Sequence, residues 1–396
     1  MINLFDARTR AEHSEMPPLA KTQGAPPLEK AMEPYTAGAK SLPQKYFVSP
    51  DIFTKEQAEI FSKEWLLVGH QSQIPDAGDY IVQRVNHESL FVIRDRGAKI
   101  HGFFNVCRHR GSRLIEDNCG NRAAIQCPYH AWIYGLDGRL IGAPHMDEVP
   151  GFEKADYPLH EVNLGIWEGF IFVNLRDASA ERGDYSLEHW FAPLSGKFSH
   201  WNMSILQPAK RIEYDVRANW KLIFENYSEC YHCPGVHPQL QKVSPYDSAK
   251  NDLREGPFLG GFMKINPGKS LTMSGNACAT FVGKIENLQQ VFYYSIFPNM
   301  LLSLHPEYVM VHQLWPQSPE RTLIVCDWFF HPEAFKRSNF NPEDAVEFWD
   351  MVNRQDWHVC ELSQQGISSR AYDPGPYSAR ESIPAAWDEY YLRQMG

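Results

Sequence analysis

Glu229, His232 and His237 place one carboxylate and two imidazoles within nine residues of the run 220–240, WKLIFENYSECYHCPGVHPQL. Two histidines and one carboxylate, with coordination positions left open, are the facial set that holds non-haem Fe(II). The elements that must position them can be read around the cluster. Leu222, Ile223, Tyr227 and Tyr231 recur at helical spacing, so the first half is expected to be a helix with an apolar stripe. On such a helix Glu229 and His232, three apart, project from nearly the same face. Pro234 and Gly235 break it, because proline lacks an N–H and glycine accepts the turn, and the break can swing His237 back towards His232. A histidine pair near the end of an aromatic-rich helix is, by itself, more often structural than metal-binding. Cys230 and Cys233 add a CxxC, the pattern of a zinc site or a redox dithiol. A structural zinc usually closes with four Cys or His ligands, and on a helix Cys230 points away from His232, so the CxxC is set aside.

A second cluster lies upstream. Cys107-x-His109 sits in NVCRHRGSRL, and Cys127-x-x-His130 in CPYHAWIYGLDGRL, with seventeen residues between the two pairs. Two thiolates and two imidazoles on paired loops match a Rieske [2Fe–2S] centre, in which histidines replace cysteines on one iron. Neutral imidazoles carry less negative charge than thiolates, so they raise the reduction potential over an all-cysteine cluster. The competing reading is a Cys2His2 zinc ribbon. The spacing of both halves and the strand-rich surroundings favour the iron–sulfur centre.

Composition bounds the rest. Among 396 residues, 38 Lys and Arg stand against 48 Asp and Glu, a net charge of −10. That balance argues against a nucleic-acid footprint and gives no reason to expect an anionic membrane partner. Eight cysteines in a chain with no secretory apolar region, and no run near the roughly 20 apolar residues of a membrane span, point to a soluble cytoplasmic protein without a disulfide framework. Residues 1–45 are polar and proline-punctuated and read as a flexible arm, free or ordered against a partner subunit. Residues 46–66 form a helical lead-in, expected as one helix from Ser49 to Trp65 capped by Ser49 or Asp51 and packing on the catalytic domain. Short alternating runs (DYIVQRV, SLFVIRD, IHGFFNV, GFIFVNL) make 67–176 a small all-β domain. In 177–396, the runs VFYYSIFPNMLLSL, YVMVHQLWP and TLIVCDWFFHP read as strands ahead of a helix, PEDAVEFWDMVNRQDWHVCELSQQGI. Asn341 is its natural cap, with Pro342 and Asp344 suited to its first turn. No GxGxxG after a strand and no phosphate-binding loop occurs, so the chain is expected to have no nucleotide site of its own.

The pairs C-x-H and C-x-x-H followed by N-x-x-E-x-Y-H-x-x-x-x-H resemble the large subunit of the Rieske non-haem iron oxygenases, from about Tyr46 to the C-terminus. The resemblance implies an α+β protein: an all-β Rieske [2Fe–2S] domain and a helix-grip catalytic domain, an antiparallel sheet wrapped around long helices. It implies a cluster on Cys107, His109, Cys127 and His130, and a mononuclear Fe(II) on His232, His237 and Asp356, the acid ahead of an E-x-x-Q-x-G run. Glu361 matches that run's own acid, and the adjacent Gln364 and Gln365 leave its register open. Glu229 is implied as a bridge that accepts a hydrogen bond from a Rieske histidine of a neighbouring chain in a homotrimer. A separate NAD(P)H-dependent flavin/iron–sulfur reductase and O2 are the implied partners. The flank NYSECYHCPGVHP and the segment SSRAYDPGPYS look most similar to the glycine betaine demethylase branch, which implies N-demethylation of a quaternary or tertiary ammonium compound. Aromatic residues at 13% could furnish a cation–π cage from among Phe292, Tyr293, Tyr294, Tyr308 and Trp315, although such stripes are more often core. The C-terminal AAWDEYYL is open to a packing role. The alternatives are aromatic-ring dihydroxylation on the same ligands, a pure electron-transfer Rieske protein, which the long C-terminal portion 177–396 opposes, and a zinc-stabilised binding protein.

Overall fold

Alternating apolar and polar residues make three small antiparallel sheets in the N-terminal half. The computed structural model describes residues 38–176, 185–279 and 289–396; residues 1–37 of the expected arm lie outside the described residues. In the largest of these sheets Asp79–Val85 and Glu88–Arg94 pair, flanked by Cys119–Asn121 and Ile100–Phe104. Ile125–Gln126, Ile133–Tyr134 and Leu140–Gly142 form the second sheet, and Leu66–His70, Phe170–Asn174 and Asn163–Trp167 the third. Phe91, Phe103, Ile115, Trp132 and Tyr134 share one core, with Cys107 and Cys127 in it.

The C-terminal half is organised by a seven-stranded antiparallel sheet. Its order is Gln207–Val216, Arg321–Phe330, Tyr308–Ser318, Met300–Leu304, Gln290–Ile296, Phe258–Lys264 and Lys250–Leu253. Successive side chains of a strand point to opposite faces, so Leu301 and Leu302 enter different cores. Leu301, Met310 and Ile324 face the helices, whereas Leu302, Val309 and Phe329 face Phe172, Phe191 and Trp201. Burial on both faces explains why Met300–Leu304 is apolar almost throughout.

Three helices close one face. Trp220–Tyr227 is capped by Asn219, whose Oδ1 accepts the Lys221 amide at 3.0 Å. Glu343–Ile367 starts where Asn341 Oδ1 accepts the Glu343 amide at 3.2 Å, with Glu343 and Asp344 at its positive end. Ser382–Met395 packs Trp387 and Tyr391 onto Trp220, with ring centroids 5.4 and 6.0 Å apart, which gives the AAWDEYYL run a packing role. Beneath them Lys221 Nζ lies 2.5 Å from Glu56 Oε1, and Trp220 Nε1 and Tyr391 Oη also donate to Glu56. The Glu56 and Lys221 side chains are 1% and 0% exposed, so this charge pair straps the lead-in to the helices. No helix among the described residues is long and apolar enough to cross a membrane.

Three local expectations are corrected. The expected Ser49–Trp65 helix is Pro50–Glu56, continued by a wider turn to Phe61. Ser49 caps it, accepting from Ile52, while the Lys63 carbonyl is taken by Asn174 Nδ2 and Arg176 Nε, which draws the chain towards the first strand. The helix at 220 ends at Tyr227 rather than continuing to Tyr231, which is 56% exposed. There the Glu229 carboxylate accepts the amides of Tyr231 and His232, replacing helical acceptors with a side chain. The run VFYYSIFPNMLLSL is two strands, broken between Ile296 and Met300.

Candidate metal centres

The turn after Tyr227 and the helix Glu343–Ile367 bring three donor atoms to one point. His232 Nε2 lies 3.2 Å from both His237 Nε2 and Asp356 Oδ1, and His237 Nε2 lies 2.8 Å from the same oxygen. With metal–imidazole bonds of about 2.0–2.1 Å, taking zinc as the yardstick, ligands at right angles would stand roughly 3 Å apart. The donor set therefore fits a single ion with little movement. Each outer ring nitrogen has its own acceptor. His232 Nδ1 donates to Glu229 Oε1 at 2.5 Å, and His237 Nδ1 donates to Gln355 Oε1 at 2.8 Å. Those bonds put the ring proton on Nδ1 and turn the Nε2 lone pair inward, as ligation requires. Burial pulls His232 down, but the carboxylates of Asp356 and Glu229 outweigh it and hold the ring at about 10. Burial likewise pushes Asp356 up, yet the two imidazoles keep it below the ordinary carboxylate range. A metal cation would sit where that proton is held.

Asp356, rather than Glu361, stands at this point. Glu361 Oε1 accepts the Arg217 amide at 3.0 Å, away from the histidines. Gln364 is buried and accepts the Asn219 amide, whereas Gln365 is exposed, which resolves the register of the E-x-x-Q-x-G run. Gln355 was not anticipated: it precedes Asp356 by one residue, and neighbours on a helix do not usually share a face. Cys230 contacts Met263 Sδ at 3.1 Å, and Cys233 is buried; neither joins the group of candidate ligands found among the described residues.

The upstream cluster stands on two loop tips. Cys107 and Cys127 are buried, while His109 and His130 are half-buried with ring centroids 4.7 Å apart. The loops are pinned by backbone bonds from Cys107 to Ser112 and from Cys127 to Trp132, both 2.8 Å. His109 stacks on Trp132, and its Nδ1 is buried without a hydrogen-bond partner. An orphaned imidazole nitrogen beside two inward thiols fits an iron–sulfur ligand. Tyr134 adds a contact that sequence spacing does not reveal: its hydroxyl lies 3.3 Å from Cys107 Sγ and accepts the Arg108 amide.

A cavity opens beside the His–His–Asp point, walled by Tyr227, Tyr293, Met310, His312, Trp349 and Trp357. Of the five aromatic candidates only Tyr293 lines it. Tyr294, on the opposite strand face, bonds Asp252, and Phe292 lies in the other core. The Tyr308 hydroxyl instead fixes the Trp349 indole at 2.7 Å, and Trp315 is a buried core residue. An outer cavity shares Tyr227, Glu229, Cys230 and Tyr293 with the inner one.

A small all-β iron–sulfur fold joined to an antiparallel sheet and helices bearing a His–His–Asp set defines a Rieske non-haem iron oxygenase subunit. Residues 64–153 match the Rieske [2Fe–2S] domain, and residues 203–396 match the ring-hydroxylating alpha-subunit catalytic domain. The glycine betaine monooxygenase oxygenase subunit of Chromohalobacter salexigens is 32% identical over 380 residues, 86% of this chain and 82% of that protein. The carnitine monooxygenase oxygenase subunit of Escherichia coli K12 is 29% identical, covering 84% and 86%. A solved quaternary ammonium Rieske monooxygenase superposes with a TM-score of 0.77 at 26% identity over 91% of this chain and 96% of its own. Naphthalene 1,2-dioxygenase from Rhodococcus sp., at 20% identity and a TM-score of 0.72, shares the fold. The chain belongs to the family of Rieske-type ring-hydroxylating oxygenase alpha subunits. It is an oxidoreductase whose cofactors are a Rieske [2Fe–2S] cluster and a mononuclear iron.

Proposed function

We propose that the chain is the oxygenase component of an N-demethylating monooxygenase acting on a quaternary or tertiary ammonium compound such as a betaine. The observation that carries this reading is the His232–His237–Asp356 point at one side of an aromatic-walled cavity. Residues 67–176 would carry the cluster on Cys107, His109, Cys127 and His130, and 177–396 the mononuclear iron on His232, His237 and Asp356. When bound, the cluster would supply electrons one at a time, and the mononuclear iron would let O2 react with a neighbouring C–H bond. Tyr293, Trp349 and Trp357 present ring faces and edges that suit a methylammonium group. Glu229 and Gln355 hold the two imidazoles in their ligating tautomer. The overall change takes R3N⁺–CH3, O2, two electrons and two protons to R3N⁺–CH2OH and water. Loss of a proton from the hydroxyl and cleavage of the C–N bond then release formaldehyde and the tertiary amine. The relatives named for glycine betaine and carnitine support this substrate class. Formaldehyde formed with O2 uptake on adding a betaine, given NAD(P)H and a flavin/iron–sulfur reductase, is the test. A cis-diol from an aromatic acid, with no formaldehyde from any amine, would favour ring dihydroxylation.

The same reading places the protein in the cytoplasm, as a head-to-tail homotrimer in which Glu229 accepts a hydrogen bond from His109 or His130 of the partner subunit. A closed ring of heterologous contacts is physically reasonable. A solved quaternary ammonium relative is described in terms of inter-subunit electron transfer. The half-buried His109 and His130 are reachable from outside, and Glu229 keeps a side-chain exposure of 11%. Glu229→Gln is expected to keep the trimer and both iron centres but to slow cluster oxidation after mixing with substrate and O2. Wild-type rates would remove the bridge.

A further inference from the structure

We propose that Arg380 holds the carboxylate of a zwitterionic trimethylammonium substrate at this site. The inference rests on the N-demethylation reading and adds the residue that reads the substrate's second charge.

The inner and outer cavities share Tyr227, Glu229, Cys230 and Tyr293, so they adjoin along that wall. Asp356 lines the inner end alone, among aromatic rings, and Glu229 stands on the shared wall. Tyr293 stands edge-on to Tyr227, with centroids 6.0 Å apart, and 6.1 Å from Trp349. Carboxylates and ring π-faces attract a cation and repel an anion. The outer end carries Arg380, the one Lys or Arg lining either cavity among the described residues. In a chain of net charge −10, a lone guanidinium at this place is notable for its position, not its type.

Arg380 is also available. No ion pair joins it to an Asp or Glu among the described residues, and its guanidinium lies over the Tyr246 ring at 5.1 Å. Stacking on a ring face leaves the in-plane N–H edge for a carboxylate, the geometry in which Arg bonds two oxygens at once. The turn that presents it is fixed. Glu381 Oε2 accepts the Ser378 amide at 2.7 Å, and Ser378 Oγ accepts the Arg380 amide at 3.3 Å, just ahead of the helix Ser382–Met395. Between the two ends, the Tyr293 hydroxyl is buried with no partner and offers a second donor on the shared wall. Asp356 and the rings at the inner end and a guanidinium at the outer end match a molecule that is cationic at its methyl end and anionic at the other. A plain cation would satisfy only the inner half, and a neutral arene neither.

The matched pair glycine betaine and choline tests this, because they differ by a carboxylate against a hydroxymethyl group. Wild-type, Arg380→Gln and Arg380→Lys proteins, each checked for iron content and cluster spectrum, would be assayed with reductase for formaldehyde. Arg380→Gln is expected to raise the KM for glycine betaine on the order of 10- to 100-fold, the loss of a charge-assisted pair. The KM for choline is expected to stay where it was, and Arg380→Lys to recover part of the betaine loss. An unchanged betaine-to-choline ratio in Arg380→Gln, or an equal loss on both substrates, would overturn the assignment of Arg380 while leaving N-demethylation standing. Wild-type protein that releases formaldehyde from neither substrate would overturn the N-demethylation reading and this inference with it.

Discussion

The two candidate metal centres are built in opposite ways. The upstream donors come from two loops within 24 residues of each other, and their scaffold is local: two backbone bonds, a stacked tryptophan and one tyrosine. The downstream donors come from a turn and a helix 119 residues apart, and the helix that leads into that turn stands on a buried charge pair in the main core. A centre of the first kind can be lost without disturbing the rest of the chain. A centre of the second kind shares its stability with the fold around it. That contrast is what substitutions can break or sharpen.

The largest expected effect is loss of one centre at a time. His232→Ala should abolish turnover and mononuclear iron while the cluster spectrum remains. Cys107→Ser should bleach the cluster and leave mononuclear iron bound. Visible absorbance and iron analysis on the two variants check this, and loss of both centres in either one would contradict their independence.

The scaffolds should separate next. Lys221→Met leaves Glu56 buried without its cation, and breaking such a pair costs about 3–5 kcal/mol. Denaturant unfolding followed by helix signal should show that loss, with mononuclear iron leaving in the same transition. An unchanged midpoint would mean that the strap does not support the downstream centre.

How much of this was legible in the chain follows the same divide. The cluster loops were readable because their ligands, spacing and strands are all local. The alternating runs from Asp79 to Asn174 became strands within a residue or two of their expected ends. The sheet strands at Tyr308 and Arg321 and the helix capped by Asn341 were equally plain, because two-sided burial and a capped helix leave strong patterns. The helix end at Tyr227 was not, since Glu229 competes for backbone amides that periodicity assigns to the helix. Gln355 and Tyr134 were hidden for a different reason. Each acts on a residue that no spacing rule connects to it.

Gln355→Leu gives a smaller and more pointed effect. It frees His237 Nδ1 while sparing all three proposed ligands, and loss of such an outer partner typically weakens metal binding 10- to 100-fold. Iron titration of the apoprotein measures it; wild-type affinity would show that the ring is oriented by packing alone.

The last effect, confined to acid pH, concerns the seam between the two halves. His70 sits against Phe170 of the small sheet and Phe329 of the large one, and burial lowers its pKa from 6.5 to about 4. Between those values the unfolded chain takes up a proton that the folded chain refuses. Its contribution is therefore complete above about pH 6.5 and is lost as pH falls towards 4, by up to about 1.4 kcal/mol per pH unit. His70→Asn should flatten the pH dependence of unfolding in that window, and an unaltered slope would place the acid sensitivity elsewhere.

The central claim, that one chain holds two separate iron centres and that Asp356 belongs to the second, has a direct measurement. Iron and acid-labile sulfide should be counted in wild-type and Asp356→Ala proteins, each with its visible spectrum. The expected result is about three irons and two sulfides per wild-type chain, and about two irons and two sulfides, with the same spectrum, in the variant. Three irons in Asp356→Ala, or stoichiometric zinc in place of iron in the wild type, would contradict it.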